Sequence, residues 1–594
     1  MRSTLGVIAA VAAAAFAPGC GDNNDAAGDA ATSTYTIGGT ISGLTVDGLV
    51  LEDNGGDDLT VAANATTFVF ATPLASGTAY AVTILTQPTG ATCTITAGSG
   101  VATADVSSVV IACTTAPAIT KEWTWKGGSD TAPSFGRAGV YGTLGTAAAA
   151  NIPGGRQQSA SWRDGAGDLW LFGGYGVDSA GNSGQLDDLW KLDPASGEWT
   201  WVSGTNVAPA STAGGAAGSP GVYGTLGTAD AGNVPGGREQ VSTWVDANGA
   251  LWVFGGEGID ASGVTGELGD LWKFADNKWT WMGGSDSVGG AFVFGGPTGV
   301  YGTQGTADAA NIPGGRYGAV QWIDAQGNFW LFGGSGIDGA GFAGSLDYLN
   351  DLWMYTPGPN GTVGAWTWVA GPDTVPTDVH GATGVYGTLG MAAAGNYPGG
   401  RDASTSWVDA SGDLWIFGGI GIDSTGTFGF MNDLWKFSPS SGKWTWVNGS
   451  KTVGDINGGP SGVYGTLGTA DAANVPGGRY STASWIDGAG NLWLLGGQGY
   501  DSAGALGILD DLWKFDVTAG QWTWVSGSST VGNAGGQPGV YGTLGTPDAA
   551  NTPGGRFGIP SWTTASGALW LFGGLGYDST GSMGYLDDLW SYQP

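Results

Sequence analysis

The chain has 594 residues, 18 basic against 50 acidic, and a formal net charge of −32. Such a surface repels nucleic-acid phosphates and has no electrostatic grip on anionic lipid, so nucleic acid is excluded as a partner and a membrane link must come from elsewhere. With three cysteines and one histidine, there is little material for thiol or imidazole chemistry.

Met1-Arg2 followed by an apolar run to Ala17 reads as a secretory signal, too short for a confident membrane span. It ends Ala17-Pro18-Gly19-Cys20, which resembles the bacterial lipoprotein box. That resemblance implies a lipoprotein signal segment over residues 1–20, diacylation of Cys20 once the signal is cleaved, and a place on the outer membrane or cell surface of a bacterium. The plainer alternative is an ordinary signal with an incidental cysteine. Residues 21–33 are small, polar and acidic, a flexible linker.

Residues 34–116 alternate Thr, Val and Ala between Gly-rich turns, and a small immunoglobulin-like β-sandwich of six or seven strands is expected. Cys93 and Cys113 lie there on neighbouring apolar runs, so a disulfide is expected in an exported domain; two buried thiols are the alternative.

From 117 to 594 the chain repeats. Pro-Gly-Gly-Arg recurs at Arg156, Arg238, Arg316, Arg401, Arg479 and Arg556, at intervals of 82, 78, 85, 78 and 77 residues. All 30 tryptophans fall into six sets of five. The last set lacks its Trp-Thr-Trp, which stands instead at Trp123 and Trp125, ahead of the first. The sets balance only if the ends meet, the mark of a closed ring. Each repeat carries four short apolar runs, in the first Ser159–Trp162, Leu169–Phe172, Leu189–Leu192 and Trp199–Val202, with Asp-Gly turn chemistry between them. Four-stranded units in a ring make a β-propeller.

An apolar strand ending in Gly-Gly (Gly173-Gly174, Gly255-Gly256, Gly333-Gly334, Gly418-Gly419, Gly496-Gly497, Gly573-Gly574), then an aromatic strand and a Trp, resembles the kelch repeat. The resemblance implies an all-β fold, a six-bladed kelch-like propeller of the galactose-oxidase type. It departs in length: a kelch unit has about 50 residues. The surplus is an insert reading Gly-Val-Tyr-Gly-Thr-Leu-Gly-Thr before each Pro-Gly-Gly-Arg, with deviations at Gln304 and Met391.

Three repeated features are candidate sites. The insert tyrosines, Tyr141, Tyr223, Tyr301, Tyr386, Tyr464 and Tyr541, read either as a sugar-stacking face or as plugs fastening each insert. Asp178, Asp260, Asp338, Asp423, Asp501 and Asp578, in Gly-x-Asp-x-x-Gly, read either as calcium ligands or as Asx turns. Both features are expected in loops on one rim, the binding face. The arginines of Pro-Gly-Gly-Arg match one for one with Asp188, Asp270, Asp351, Asp433, Asp511 and Asp588, and six structural ion pairs are the economical reading; substrate-binding arginines are the other. Unequal features are few: the Thr356–Ala365 hairpin, Phe292-Val293-Phe294 and Thr564.

The galactose-oxidase resemblance would imply copper held by histidines and a cross-linked tyrosine. With His380 alone and no cysteine in the ring, that activity is excluded. The expected function is a monomeric, non-catalytic binding propeller for a glycan or protein, with no certain cofactor. The alternative is a carbohydrate-active enzyme (isomerase, lyase or hydrolase) using carboxylates on the insert face. One unlike cluster at the channel mouth would mark the enzyme, and six like blades the scaffold.

Overall fold

The computed structural model describes residues 33–88, 91–115, 121–133, 135–210, 216–289, 295–341, 347–376 and 381–594. The expectations for the signal, Cys20, nearly all of the linker, Phe292-Val293-Phe294 and His380 lie outside the described residues. The chain divides into two compact units, residues 1–119 and 120–594.

In the first unit, two four-stranded sheets share one apolar core. One holds Thr67–Val69, Ile37–Ser42, Val106–Thr115 and Ala91–Thr96; the other holds Asp57–Val61, Leu49–Asp53, Ala79–Thr86 and Ser99–Val101. Alternate residues such as Leu49 and Leu51, or Val109 and Ile111, point inward and are fully buried, as period-two patterning requires. Cys93 and Cys113 face each other in register on adjacent antiparallel strands, and their sulfurs are bonded.

The second unit repeats one antiparallel sheet, and the four runs expected in repeat 1 are its strands, shifted by a residue at the ends. They are Ala160–Arg163, Leu169–Phe172, Leu189–Asp193 and Glu198–Ser203, hydrogen-bonded in that order. The last repeat supplies Ser561–Thr563, Leu569–Tyr577 and Met583–Tyr592, and its fourth strand is Trp123–Gly127, with Trp125 opposite Trp590. The ends of the region therefore close one sheet and leave no free edge there.

The first strands touch in a cycle. Ala160–Arg163 neighbours Ser242–Val245, then Val320–Ile323, Thr405–Val408, Ala483–Ile486 and Ser561–Thr563, which returns to Ala160–Arg163. Apolar cores lie between successive sheets: Leu169, Leu171 and Trp190 of repeat 1 pack with Trp562, Trp570 and Phe572 of repeat 6. Indoles lock the seams. The Nε1 of Trp322, Trp407, Trp485 and Trp562 donates to the carbonyl of Trp415, Trp493, Trp570 and Trp170 in the next repeat.

Two expectations about loops are corrected. The Gly-Gly pair does not end the second strand. In repeats 3, 4 and 6 the strand runs on unbroken, for example Phe329–Gly336; in the others it resumes, as at Tyr175–Val177. Gly173 and Gly174 take φ of 62° and 93°, and a Cβ on Gly173 would stand 2.7 Å from the Arg238 carbonyl, so the pair bends the strand where a neighbouring backbone passes. The inserts do not stand on a rim either. The insert of repeat 1 lies along that repeat's own outer strand: Gly145 N–H donates to the Trp201 carbonyl, and Asn151 Nδ2 to the Trp199 carbonyl. Each insert thus covers a sheet edge that would otherwise offer unpaired peptide groups.

Candidate functional site

The most heavily repeated chemistry is a buried knot. In repeat 2, Arg238 Nη1 and Nη2 donate to Asp270 Oδ1 and Oδ2 at 2.7 and 2.8 Å. Arg238 Nε and Nη1 also donate to the carbonyls of Gly236 and Gly255. Asp270 Oδ2 also accepts from Tyr223 Oη (2.7 Å) and Trp272 Nε1 (2.6 Å). The bidentate pair recurs at Arg156–Asp188, Arg316–Asp351, Arg401–Asp433, Arg479–Asp511 and Arg556–Asp588. Guanidinium and carboxylate are each at most 1% exposed in all six, so these arginines meet no substrate. Burial works against the Asp270 carboxylate, but Arg238 and its other donors outweigh that and hold it below the usual range.

The same knots decide the tyrosines. Tyr141, Tyr223, Tyr301, Tyr386, Tyr464 and Tyr541 are 4–7% exposed, and each hydroxyl donates to its repeat's knot aspartate. Tyr141 sits edge-on to Trp201 beneath its insert. These rings offer no open face to a sugar, and the stacking expectation is withdrawn in favour of fastening.

Asp178, Asp260, Asp338, Asp423, Asp501 and Asp578 sit at the tips of the hairpins between second and third strands, each at most 3% exposed. Asp178 Oδ1 accepts from the Ala180 and Asn182 amides and Oδ2 from the Ala208 amide. Oxygens filled by N–H donors are not calcium ligands, and among the described residues no three His, Cys, Asp or Glu side chains group as a metal site requires. The calcium reading is corrected to a turn that also ties down the loop after the fourth strand. For Asp178, Asp423 and Asp578 burial pushes the carboxyl up, and peptide N–H donors more than offset it, leaving it low.

The unlike residues are elsewhere. Six residues just after the knot arginines, Gln158, Gln240, Gly318, Ala403, Ser481 and Gly558, form a closed cycle of peptide hydrogen bonds of 2.7–3.0 Å, each N–H donating to the carbonyl of the repeat before, with Gln158 completing it on Gly558. All six have positive φ, from 49° to 65°, although four are not glycine. Strained backbone of this kind persists only where the surroundings over-determine it, and the hydrogen-bonded cycle does so. The cycle encircles the axis and borders a cavity of about 170 Å³, also lined by Ser159, Ser404 and Thr482.

On this cycle stands a layer of three side chains per repeat, directly opposite one another across the strands: the residue after the arginine, the residue after Gly-Gly, and its partner on the third strand. They are Gln157–Tyr175–Gln185, Glu239–Glu257–Glu267, Tyr317–Ser335–Tyr348, Asp402–Ile420–Phe430, Tyr480–Gln498–Ile508 and Phe557–Leu575–Tyr585. Facing pairs share a side of the sheet. The sets converge on the axis. Tyr348 of repeat 3 lies within electrostatic reach of Tyr480 of repeat 5, and Tyr585 of repeat 6 of Glu239 of repeat 2, though neither pair of repeats adjoins. Tyr175 and Tyr585 rings are 5.7 Å apart, and Phe430 and Tyr480 rings 5.6 Å.

The acids of this layer are strongly perturbed. Burial and the neighbouring Glu257 push Glu239 up to about 8; burial alone pushes Asp402 up to about 8, and burial, with Glu257 adding, pushes Glu267 up to about 7. None of the layer residues is among the candidates read from the sequence. The signal was present as variation: the position after an invariant Arg reads Gln, Glu, Tyr, Asp, Tyr, Phe around the ring. The departures singled out instead do other work. Thr356–Ala365 carries a single 3₁₀ turn whose Gly361 carbonyl accepts from Lys273 Nζ, and Thr564 Oγ1 accepts from the Ala568 amide within its own hairpin.

No protein-family model and no curated protein matches the chain. Among solved structures, YjhT is similar, with 14% identity and a TM-score of 0.39 over 74% of this chain and 95% of that one. The many small antiparallel sheets, cycled through their first strands, define the second unit as a β-propeller.

Proposed function

We propose that the chain is a bacterial envelope lipoprotein anchored through Cys20, in which an immunoglobulin-like sandwich carries a six-bladed kelch-like propeller that binds a ligand, glycan or protein, at the mouth of its axis. The observation that supports this reading is the axial layer: side chains that differ in every repeat converge there, while the knots beneath are the same in all six. A scaffold needs equal parts; a binding site needs unequal ones.

Catalysis on a carbohydrate is the second reading, and one observation favours it. Glu239 and Asp402 are pushed up to about 8, so near neutral pH they hold protons beside tyrosine hydroxyls, as a general acid would. A glycan array probed with the signal-free chain tests both readings. Retention of a glycan that is lost in Tyr348→Ala supports binding. Mass spectrometry of that glycan after overnight incubation separates the readings: an altered mass or anomer profile assigns an enzyme. A blank array with the full chain, together with no captured protein that depends on Tyr348, refutes both.

A further inference from the structure

The axial layer contains buried acids for whose ionised form the fold supplies no counter-charge. Glu239, Glu257 and Glu267 stand directly opposite one another on three adjacent strands, an arrangement of like charges that opposes pairing. Glu239 is 8% exposed, Glu267 1% and Asp402 6%. Among the described residues no lysine or arginine forms an ion pair with any of these four acids. Buried carboxylates without a counter-charge are costly, and proteins retain them chiefly at working sites.

The unsatisfied atoms around the axis have one polarity. Gln157 Oε1, Gln185 Oε1, Glu239 Oε2, Gln240 Oε1 and Asp402 Oδ1 are buried without a partner; the three amide oxygens are acceptors, and the two carboxyl oxygens are acceptors once ionised. The missing partner is therefore a donor. Tyrosines are close to these acids: Tyr317, Tyr348 and Tyr480 all lie within electrostatic reach of Asp402. A metal ion does not fit, because no three of these carboxylates come together as a ligand set.

The geometry points to a small organic ammonium ion as the ligand of the axial site, seated between the repeat 2 glutamates and Asp402 beside the tyrosines of repeats 3 and 5. The inference rests on the axial-binding reading and names its ligand class. An ammonium group supplies three donors to the orphaned acceptors and balances the charge that the acids acquire when they ionise. Its arrival favours the ionised acids, so binding releases protons. The titratable groups facing Glu239 are Glu257 on the adjacent strand and Tyr585 from repeat 6; those facing Asp402 are Tyr317 and Tyr348 from repeat 3 and Tyr480 from repeat 5; Glu267 faces Glu257 and Tyr317. Burial raises all three of Glu239, Asp402 and Glu267, so at pH 7 they have protons to lose.

Isothermal titration of the signal-free chain with three probes tests this: the glucosamine trimer, its N-acetylated trimer and trilysine. The glucosamine trimer is expected to bind at least about 10-fold more tightly than the acetylated one, with proton release seen as a buffer-dependent heat. Trilysine binding with the same release assigns the ammonium group alone, and failure of trilysine alone assigns an amino sugar. The Glu239→Gln/Asp402→Asn double variant is expected to lose the preference while its melting temperature holds or rises. Equal or tighter binding of the acetylated trimer, binding of neither cationic probe, or a preference kept by the double variant overturns the ammonium assignment. The binding reading survives any of these if a neutral glycan on the array still depends on Tyr348.

Discussion

Removing the carboxylate of one knot is the sharpest test of how the ring is held. In Asp270→Ala, Arg238 keeps its bonds to the Gly236 and Gly255 carbonyls but loses its counter-ion in a site with no access to water. Tyr223 Oη and Trp272 Nε1 lose their acceptor as well. Breaking a buried ion pair from one side costs about 3–5 kcal/mol. Unfolding a propeller of residues 120–594 releases entropy of about 2.1 cal/mol/K per residue, hence about 1 kcal/mol/K for the whole unit. A loss of about 4 kcal/mol then lowers the melting temperature by about 4 °C. Tyr223→Phe removes one donor and leaves Asp270 Oδ2 bonded to Arg238 and Trp272, so about 2 kcal/mol and about 2 °C are expected. Differential scanning calorimetry with urea titration at pH 7 measures both. If Asp270→Ala melts no lower than Tyr223→Phe, the uncompensated guanidinium is not the dominant penalty and the account of the knot is wrong.

Closure is tested by Thr124→Cys with Ser591→Cys, whose backbones are paired in register across the junction; the bond is expected to form under oxidation and to raise the melting temperature, and a chain that stays uncrosslinked would contradict the shared sheet. The raised acids predict pH dependence. Glu239, Asp402 and Glu267 bind protons more tightly folded than unfolded, so the stability they contribute is present below about pH 4 and is lost as pH rises through about 7 to 8. Melting temperature should fall between pH 5 and pH 9, and less in the double variant Glu239→Gln/Asp402→Asn; an equal fall in that variant would place the titrating groups elsewhere. EDTA is expected to leave the melting curve unchanged, whereas Asp178→Ala, which orphans the Ala180, Asn182 and Ala208 amides, should lower stability by about 1–3 kcal/mol. A chelator-induced shift would restore a metal to those turns.

The repeat was legible because its signals are local. Tryptophan spacing, Asp-Gly turns and the displaced Trp123 and Trp125 determined four strands per unit and the need for closure. The one-to-one count of arginines and aspartates suggested the knots, which form inside a single repeat across 32 to 35 residues. What an Asp at a hairpin tip accepts, or which way an insert tyrosine turns, was ambiguous, since one short motif serves an exposed site and a buried tie equally well. The axial layer was hidden for a different reason. Glu239, Asp402 and Tyr480 each follow a knot arginine in a separate repeat, so their equivalence is periodic, but nothing local says that this position faces the axis. They become neighbours when the last strand pairs with the first and the Gln158–Gly558 bond completes the cycle. Strand and turn are dictated by residues a few positions apart, whereas the site is dictated by a ring closing over more than four hundred.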